Sequence, residues 1–127
     1  MAAVLVVDDE PVIREMLMLI LERNGFAVVS AANGAQGLHK YRLYKDDIEL
    51  VICDVAMPEM DGPTLIERLL KERPELPIIM MSDQSDSIDL GSHPNMRFIP
   101  KPFDLSRLLS TARSLISQGK SLSTSSA

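Results

Sequence analysis

The chain has 127 residues, a formal charge of −5, 46% apolar residues and one cysteine. That length suits one domain with a buried core; no apolar run nears the ~18 residues of a membrane span, no leader pattern points to secretion, and a single cysteine excludes an internal disulfide and suits a reducing cytoplasm. Residues 1–62 hold 11 acids and 5 bases, residues 63–127 hold 7 and 8, so the excess negative charge lies in the first half, which argues against direct nucleic-acid binding and for a metal cation.

Strand-like apolar runs alternate with helix-period segments, the pattern of a parallel sheet covered by helices. Ala3-Val4-Leu5-Val6-Val7 is the first strand. Pro11 suits the first turn of the helix that follows, with Val12, Ile13, Met16, Leu17 and Ile20 as its apolar stripe and Gly25 as its stop. Residues 27–31 form a short second strand closed by the Asn33-Gly34 turn signal. A helix follows over 35–44, then a third strand over 50–53. Met57-Pro58-Glu59-Met60-Asp61-Gly62 is loop chemistry, and residues 63–73 form a helix with Leu65, Ile66, Leu69 and Leu70 on one face. Strands four and five are expected at 77–81 and 97–99. Between them, residues 83–96 offer Ile88 and Leu90 as apolar anchors before Gly91 and Pro94, enough for about one helical turn. Asp104 caps the last helix, whose inner stripe is Leu105, Leu108, Leu109, Ala112 and Ile116. The domain is expected over 1–116, with 117–127 a Ser-rich disordered tail or linker.

Three carboxylates stand where apolar runs break off: Asp8 and Asp9 after the first, Asp54 after the third. Continuous apolar runs fit strands buried on both faces of a parallel sheet, and ligands in such sheets bind beyond the carboxyl ends of the strands. Like charges about 4 Å apart repel by roughly 4 kcal/mol at an effective dielectric of 20. The cluster therefore calls for a cation, a proton or a transferred group. Ser82 and Lys101 close the next two strands. Two acids can hold Mg²⁺, Asp54 can act as a carboxylate nucleophile, and Ser82 and Lys101 can bind phosphoryl oxygens. The chemistry is metal-assisted phosphoryl transfer.

Four motifs carry a resemblance: Val6-Val7-Asp8-Asp9-Glu10, the run from Asp54 through Val55-Ala56-Met57 to Gly62, Met81-Ser82, and Lys101-Pro102-Phe103. Together they resemble the receiver domain of two-component response regulators. The resemblance implies a flavodoxin-like, doubly wound, five-stranded parallel sheet in the order 2-1-3-4-5, with a shortened or poorly formed fourth helix where residues 83–96 run short. It implies that Asp54 is the phosphoacceptor, that Asp9 binds Mg²⁺ directly and Asp8 through a water, and that the Ala56 backbone carbonyl is a further ligand. It also implies that Ser82 and Phe98 are the switch pair, that Lys101 meets the phosphoryl oxygens, and that the Lys101-Pro102 bond is cis. A histidine kinase or a histidine phosphotransfer protein would donate the phosphoryl group, and a downstream protein would read the result.

Three features depart from the family pattern: Asp83, a stretch from Ser82 to Lys101 about one helical turn short, and Pro100. Asp83 puts a carboxylate beside the phosphoryl pocket, which would weaken phosphorylation or speed its loss. Ala56 and Gln84 offer no strong base for water, which works the other way. Pro100 ahead of Lys101 is similar to receivers at the C-termini of hybrid sensor kinases. Asp83 and the thin 83–96 segment motivate an alternative, a degenerate receiver acting as a phosphorylation-independent interaction module. An aspartate-nucleophile phosphatase would need an acid two residues after Asp54, where Ala56 stands; turnover as a true enzyme is not expected. Cys53 is expected to be an inert buried thiol, and His39 and His93 surface residues.

Overall fold

Among the described residues nine elements follow one another: β1 (Ala3–Val7), α1 (Pro11–Arg23), β2 (Ala27–Ala31), α2 (Gly34–Tyr44), β3 (Ile48–Asp54), α3 (Gly62–Glu72), β4 (Ile78–Ser82), β5 (Met96–Pro100) and α4 (Leu105–Ser125). The computed structural model describes residues 3–57, 60–82 and 93–125, with side chains through 117. All five strands are parallel in one sheet ordered β2-β1-β3-β4-β5. The expected flavodoxin-like arrangement is therefore the observed one. The segment expected to hold a shortened helix falls largely on residues 83–92, outside the described residues, as do Asp83 and Gln84.

The unbroken apolar runs of β1, β3 and β4 follow from burial on both faces. Along β1, Ala3, Leu5 and Val7 enter one core with Leu38 and Tyr41 of α2 and Leu65, Ile66 and Leu69 of α3. Val4 and Val6 enter a second core with Leu17 and Leu21 of α1 and Leu108, Ala112, Leu115 and Ile116 of α4. Each such fully buried aliphatic side chain contributes about 1.5–3 kcal/mol. The sheet is thus fixed from two sides, and its carboxyl edge has little freedom.

Helix ends follow local chemistry. The Asn33 side chain accepts from the Gln36 N–H at 2.8 Å, so the Asn33-Gly34 pair read as a turn signal is the N-terminal cap of α2. Asp61 caps α3 by accepting from Thr64 N–H at 2.9 Å. Asp104 accepts from Ser106 N–H at 2.9 Å and caps α4 as expected. Gly25, at φ 92°, ends α1 in the left-handed region that glycine enters without penalty.

Two stripes differ from expectation. On α1, Leu17 and Leu21 are the buried residues, whereas Val12 is 75% and Met16 39% exposed. That helix is apolar on nearly every side, so its periodicity cannot say which face turns inward. On α4, Leu115 joins the core while Leu105 is 45% exposed. The same helix runs past Ile116, where the domain was expected to end, to Ser125. No proline follows Pro102, and serine and a single glycine weaken a helix without ending it. No helix among the described residues is long and apolar enough to cross a membrane.

Candidate functional site

Because β1 and β3 are neighbours, with Val7 opposite Cys53, the residues that follow them emerge side by side. Asp8 and Asp54 are both buried, as is Ser82 at the end of β4. Carboxylate oxygens of Asp8, Glu10 and Asp54 lie within 4.8 Å of one another. Lys101, just beyond β5, reaches across β4: its Nζ stands 3.1 Å from Asp8 Oδ2 and 3.3 Å from Asp54 Oδ2. The strand ends thus meet as the sequence indicated, with Lys101 shared between two acids from different strands.

The two buried acids are held unequally. Asp8 Oδ1 accepts from the Glu10 N–H at 2.9 Å and Asp8 Oδ2 from Lys101 at 3.1 Å. The Arg14 guanidinium donates to the Asp8 carbonyl at 2.6 Å. Asp54 Oδ1 accepts a longer bond, 3.3 Å, from the Ala56 N–H. Burial raises the Asp54 pKa above its usual carboxylate value, Lys101 opposes the rise, and Asp8 adds to it. Burial alone would lower the Lys101 pKa, but its bond and attraction to Asp8, and then to Asp54, hold it above 10.5. The ammonium is therefore locked in its charged form between the carboxylates.

Backbone bonds tie this edge together. Val55 N–H donates to the Met81 carbonyl at 2.9 Å, and Lys101 N–H to the Ser82 carbonyl at 2.6 Å. Gly62 N–H returns to the Val55 carbonyl at 3.0 Å, and a Cβ at Gly62 would stand 2.5 Å from the Asp54 carbonyl oxygen. Glycine there lets α3 begin directly against the end of β3. The Lys101-Pro102 bond is cis, as the resemblance implied.

Each expected site residue has a definite place. Asp8, Asp54 and Lys101 converge, and Ser82 is buried at the same edge. Asp9 is half-buried and is not part of the three-carboxylate group; Glu10, given no role in the sequence reading, takes that place. Ala56 is exposed, beside Asp54. Phe98 is half-buried on β5 opposite Met80. Cys53 is buried as expected, its thiol pKa pushed up by burial and by Asp54. His39 is exposed as expected, while His93 is half-buried, its Nε2 2.8 Å from the Pro74 carbonyl. Arg14 carried a quiet signal: a cation in the first turn of a helix opposes the helix dipole, although Glu10 four residues earlier favours it.

Three carboxylates facing one ammonium leave a net negative pocket of hard oxygen donors, which suits a divalent cation such as Mg²⁺. The family model of the response regulator receiver domain matches residues 4–113. The chain is 42% identical over 110 residues to the chemotaxis protein CheY of Bacillus subtilis, covering 84% of this chain and 90% of that protein. It is 34% identical over 118 residues to the sensor kinase CckA of Brucella abortus, covering 91% of this chain but 12% of that protein. A chain of the CheX-CheY-BeF3-Mg²⁺ complex of Borrelia burgdorferi matches with a TM-score of 0.80 and 28% identity, over 90% of this chain and 88% of that one. Motifs, sheet order and pocket lead to one family: the chain belongs to the response regulator receiver domains of two-component signalling.

Proposed function

We propose that the chain is a phosphoacceptor switch of a two-component phosphorelay, taking a phosphoryl group on Asp54 in a Mg²⁺-dependent reaction. The observation that carries this reading is the joint one of three carboxylate oxygens within 4.8 Å and a Lys101 Nζ 3.3 Å from Asp54 Oδ2. An Asp54 oxygen attacks phosphorus, the bond to the donor nitrogen breaks, and the departing imidazole keeps the electron pair. The product is an acyl phosphate on Asp54. The Lys101 ammonium, already within reach, pairs with the phosphoryl oxygens, and the Ser82 hydroxyl donates to one of them. Asp8, Asp9, Asp54 and the Ala56 carbonyl would hold Mg²⁺, with Glu10 close by. When bound, Mg²⁺ offsets the charge of the carboxylates and of the incoming group.

The donor is a histidine kinase or a histidine phosphotransfer protein, in the cytoplasm, and Ser82 with Phe98 relays the change to a downstream protein. Support comes from the Borrelia burgdorferi complex, whose name pairs a CheY with CheX, Mg²⁺ and a beryllofluoride. The receiver domain is taken to span residues 1–116, with 117–127 as a tail or linker; burial of Leu115 and Ile116 on α4 supports a core that reaches this far. Similarity to CckA and Pro100 favour a receiver that works within a hybrid kinase. The domain catalyses no turnover beyond its own phosphorylation and dephosphorylation. The alternative of a phosphorylation-independent module rests on Asp83 and its segment, outside the described residues, and gains no support elsewhere. Incubation with Mg²⁺ and acetyl phosphate should add one phosphoryl group by intact mass, and Asp54→Asn should remove that addition. An unmodified parent protein under those conditions would refute the reading.

A further inference from the structure

We propose that Arg14 is a positioning residue for the cation pocket, acting through Asp8; this rests on the phosphoacceptor reading above. Arg14 touches the turn between β1 and α1 twice. Its backbone N–H donates to the Glu10 carbonyl at 3.0 Å, and its guanidinium donates to the Asp8 carbonyl at 2.6 Å. Between these two anchors, Glu10 N–H closes onto Asp8 Oδ1 at 2.9 Å. The first anchor is the ordinary opening bond of α1, which any residue but proline would make; the guanidinium bond to the Asp8 carbonyl is the one the side chain adds, and it holds the turn at its β1 end.

Helix chemistry alone does not settle Arg14: Glu10 four residues earlier favours a cation at this position, but the dipole does not. It lies in the first turn of α1, where the dipole disfavours a cation. The N-terminal cap, Glu10, makes no side-chain cap bond, so Pro11 sets the start of the helix but no cap side chain ties the turn before it. Arg14 is also half-buried, so part of its hydration is given up for the bond to Asp8. A guanidinium is suited to this because it is weakly hydrated and presents its donors in a fixed plane. Holding the Asp8 carbonyl fixes the direction in which the Asp8 carboxylate leaves the end of β1. That direction sets where Asp8 and Glu10 oxygens stand relative to Asp54.

Residues that orient metal ligands from behind typically change metal affinity by about 10–100-fold when replaced. Titration calorimetry of Mg²⁺ into the full chain, parent against Arg14→Met, reads this without any phosphorylation. Arg14→Met should weaken Mg²⁺ binding about tenfold, and Arg14→Lys, which keeps one donor and the charge, should recover part of it. With Mg²⁺ raised to saturation, the acetyl phosphate rate of Arg14→Met should return to within about threefold of the parent, the split expected when positioning of the cation site and not the chemical step is lost. A folded Arg14→Met protein that binds Mg²⁺ like the parent overturns the proposal. So does a variant that unfolds, because Arg14 is then a residue of the fold and not of the pocket. A parent that binds no Mg²⁺ would instead refute the phosphoacceptor reading itself.

Discussion

The ends of β1 and β3 both present a buried aspartate to the same crevice, yet they are built differently. Asp8 is gripped: a backbone N–H at 2.9 Å, the Lys101 ammonium at 3.1 Å and the Arg14 guanidinium on its carbonyl at 2.6 Å. Asp54 has the same ammonium at 3.3 Å and one long backbone bond at 3.3 Å. Among the described residues each carboxylate accepts one backbone N–H and the shared ammonium, but both bonds are shorter at Asp8, whose backbone is also held by Arg14; Asp8 is the firmly held acid and Asp54 the looser one. Two acids one strand apart thus divide into a scaffold and a reactive group. This matches the roles proposed for them.

The contrast can be broken most severely at the cation both acids share. Replacing Lys101 by Met should slow phosphorylation by acetyl phosphate about a hundredfold or more, the scale set by removing one preorganised electrostatic partner; a rate near the parent's would show that Lys101 does not meet the phosphoryl group. Next comes the scaffold. Asp8→Ala removes the acceptor of Glu10 N–H and of Lys101 and should cost about 1–3 kcal/mol in chemical denaturation; no loss would mean that Asp8 is not the more firmly held acid. On the β3 side, Asp61→Ala uncaps α3 beside Gly62 and should cost about 1 kcal/mol, measured in the same way.

The smallest effect has the opposite sign. Asp54 carries a pKa raised above 3.8, chiefly by burial. The native state therefore binds that proton more tightly than the unfolded chain. Stability contributed by this group is present at low pH and is lost as pH rises through the raised native value. At neutral pH the charged Asp54 is a net cost, so Asp54→Asn should raise the thermal midpoint there. The gain should fade as the pH falls below the ordinary carboxylate range. A midpoint lowered at neutral pH would show that the bond to Lys101 outweighs burial at Asp54.

How much of this was legible in the sequence varied with the physics behind each feature. Strands buried on both faces must be apolar throughout, so β1, β3 and β4 announced themselves, and with them Asp8, Asp54 and Ser82 at their ends. Lys101 was read in the same way, as the residue that closes the fifth strand, and the family motif agreed. The inner face of α1 was not legible, since Val12, Met16 and Leu19 compete with Leu17 and Leu21 and only packing against β1 decides. Glu10 entered the acid group in place of Asp9 for a reason no spacing reveals: the turn after β1 folds back so that Glu10 N–H meets the Asp8 carboxylate. Arg14 belongs to the same turn and was missed for the same reason.

The claim most exposed to test is that Asp54, the loosely held acid, is the one that reacts. Phosphorylation with acetyl phosphate and Mg²⁺, followed by borohydride reduction and peptide mass mapping, marks the modified carboxylate directly. Reduction confined to Asp54 is the predicted result. Reduction at Asp8 or Asp9, or at no residue of the chain, would contradict it.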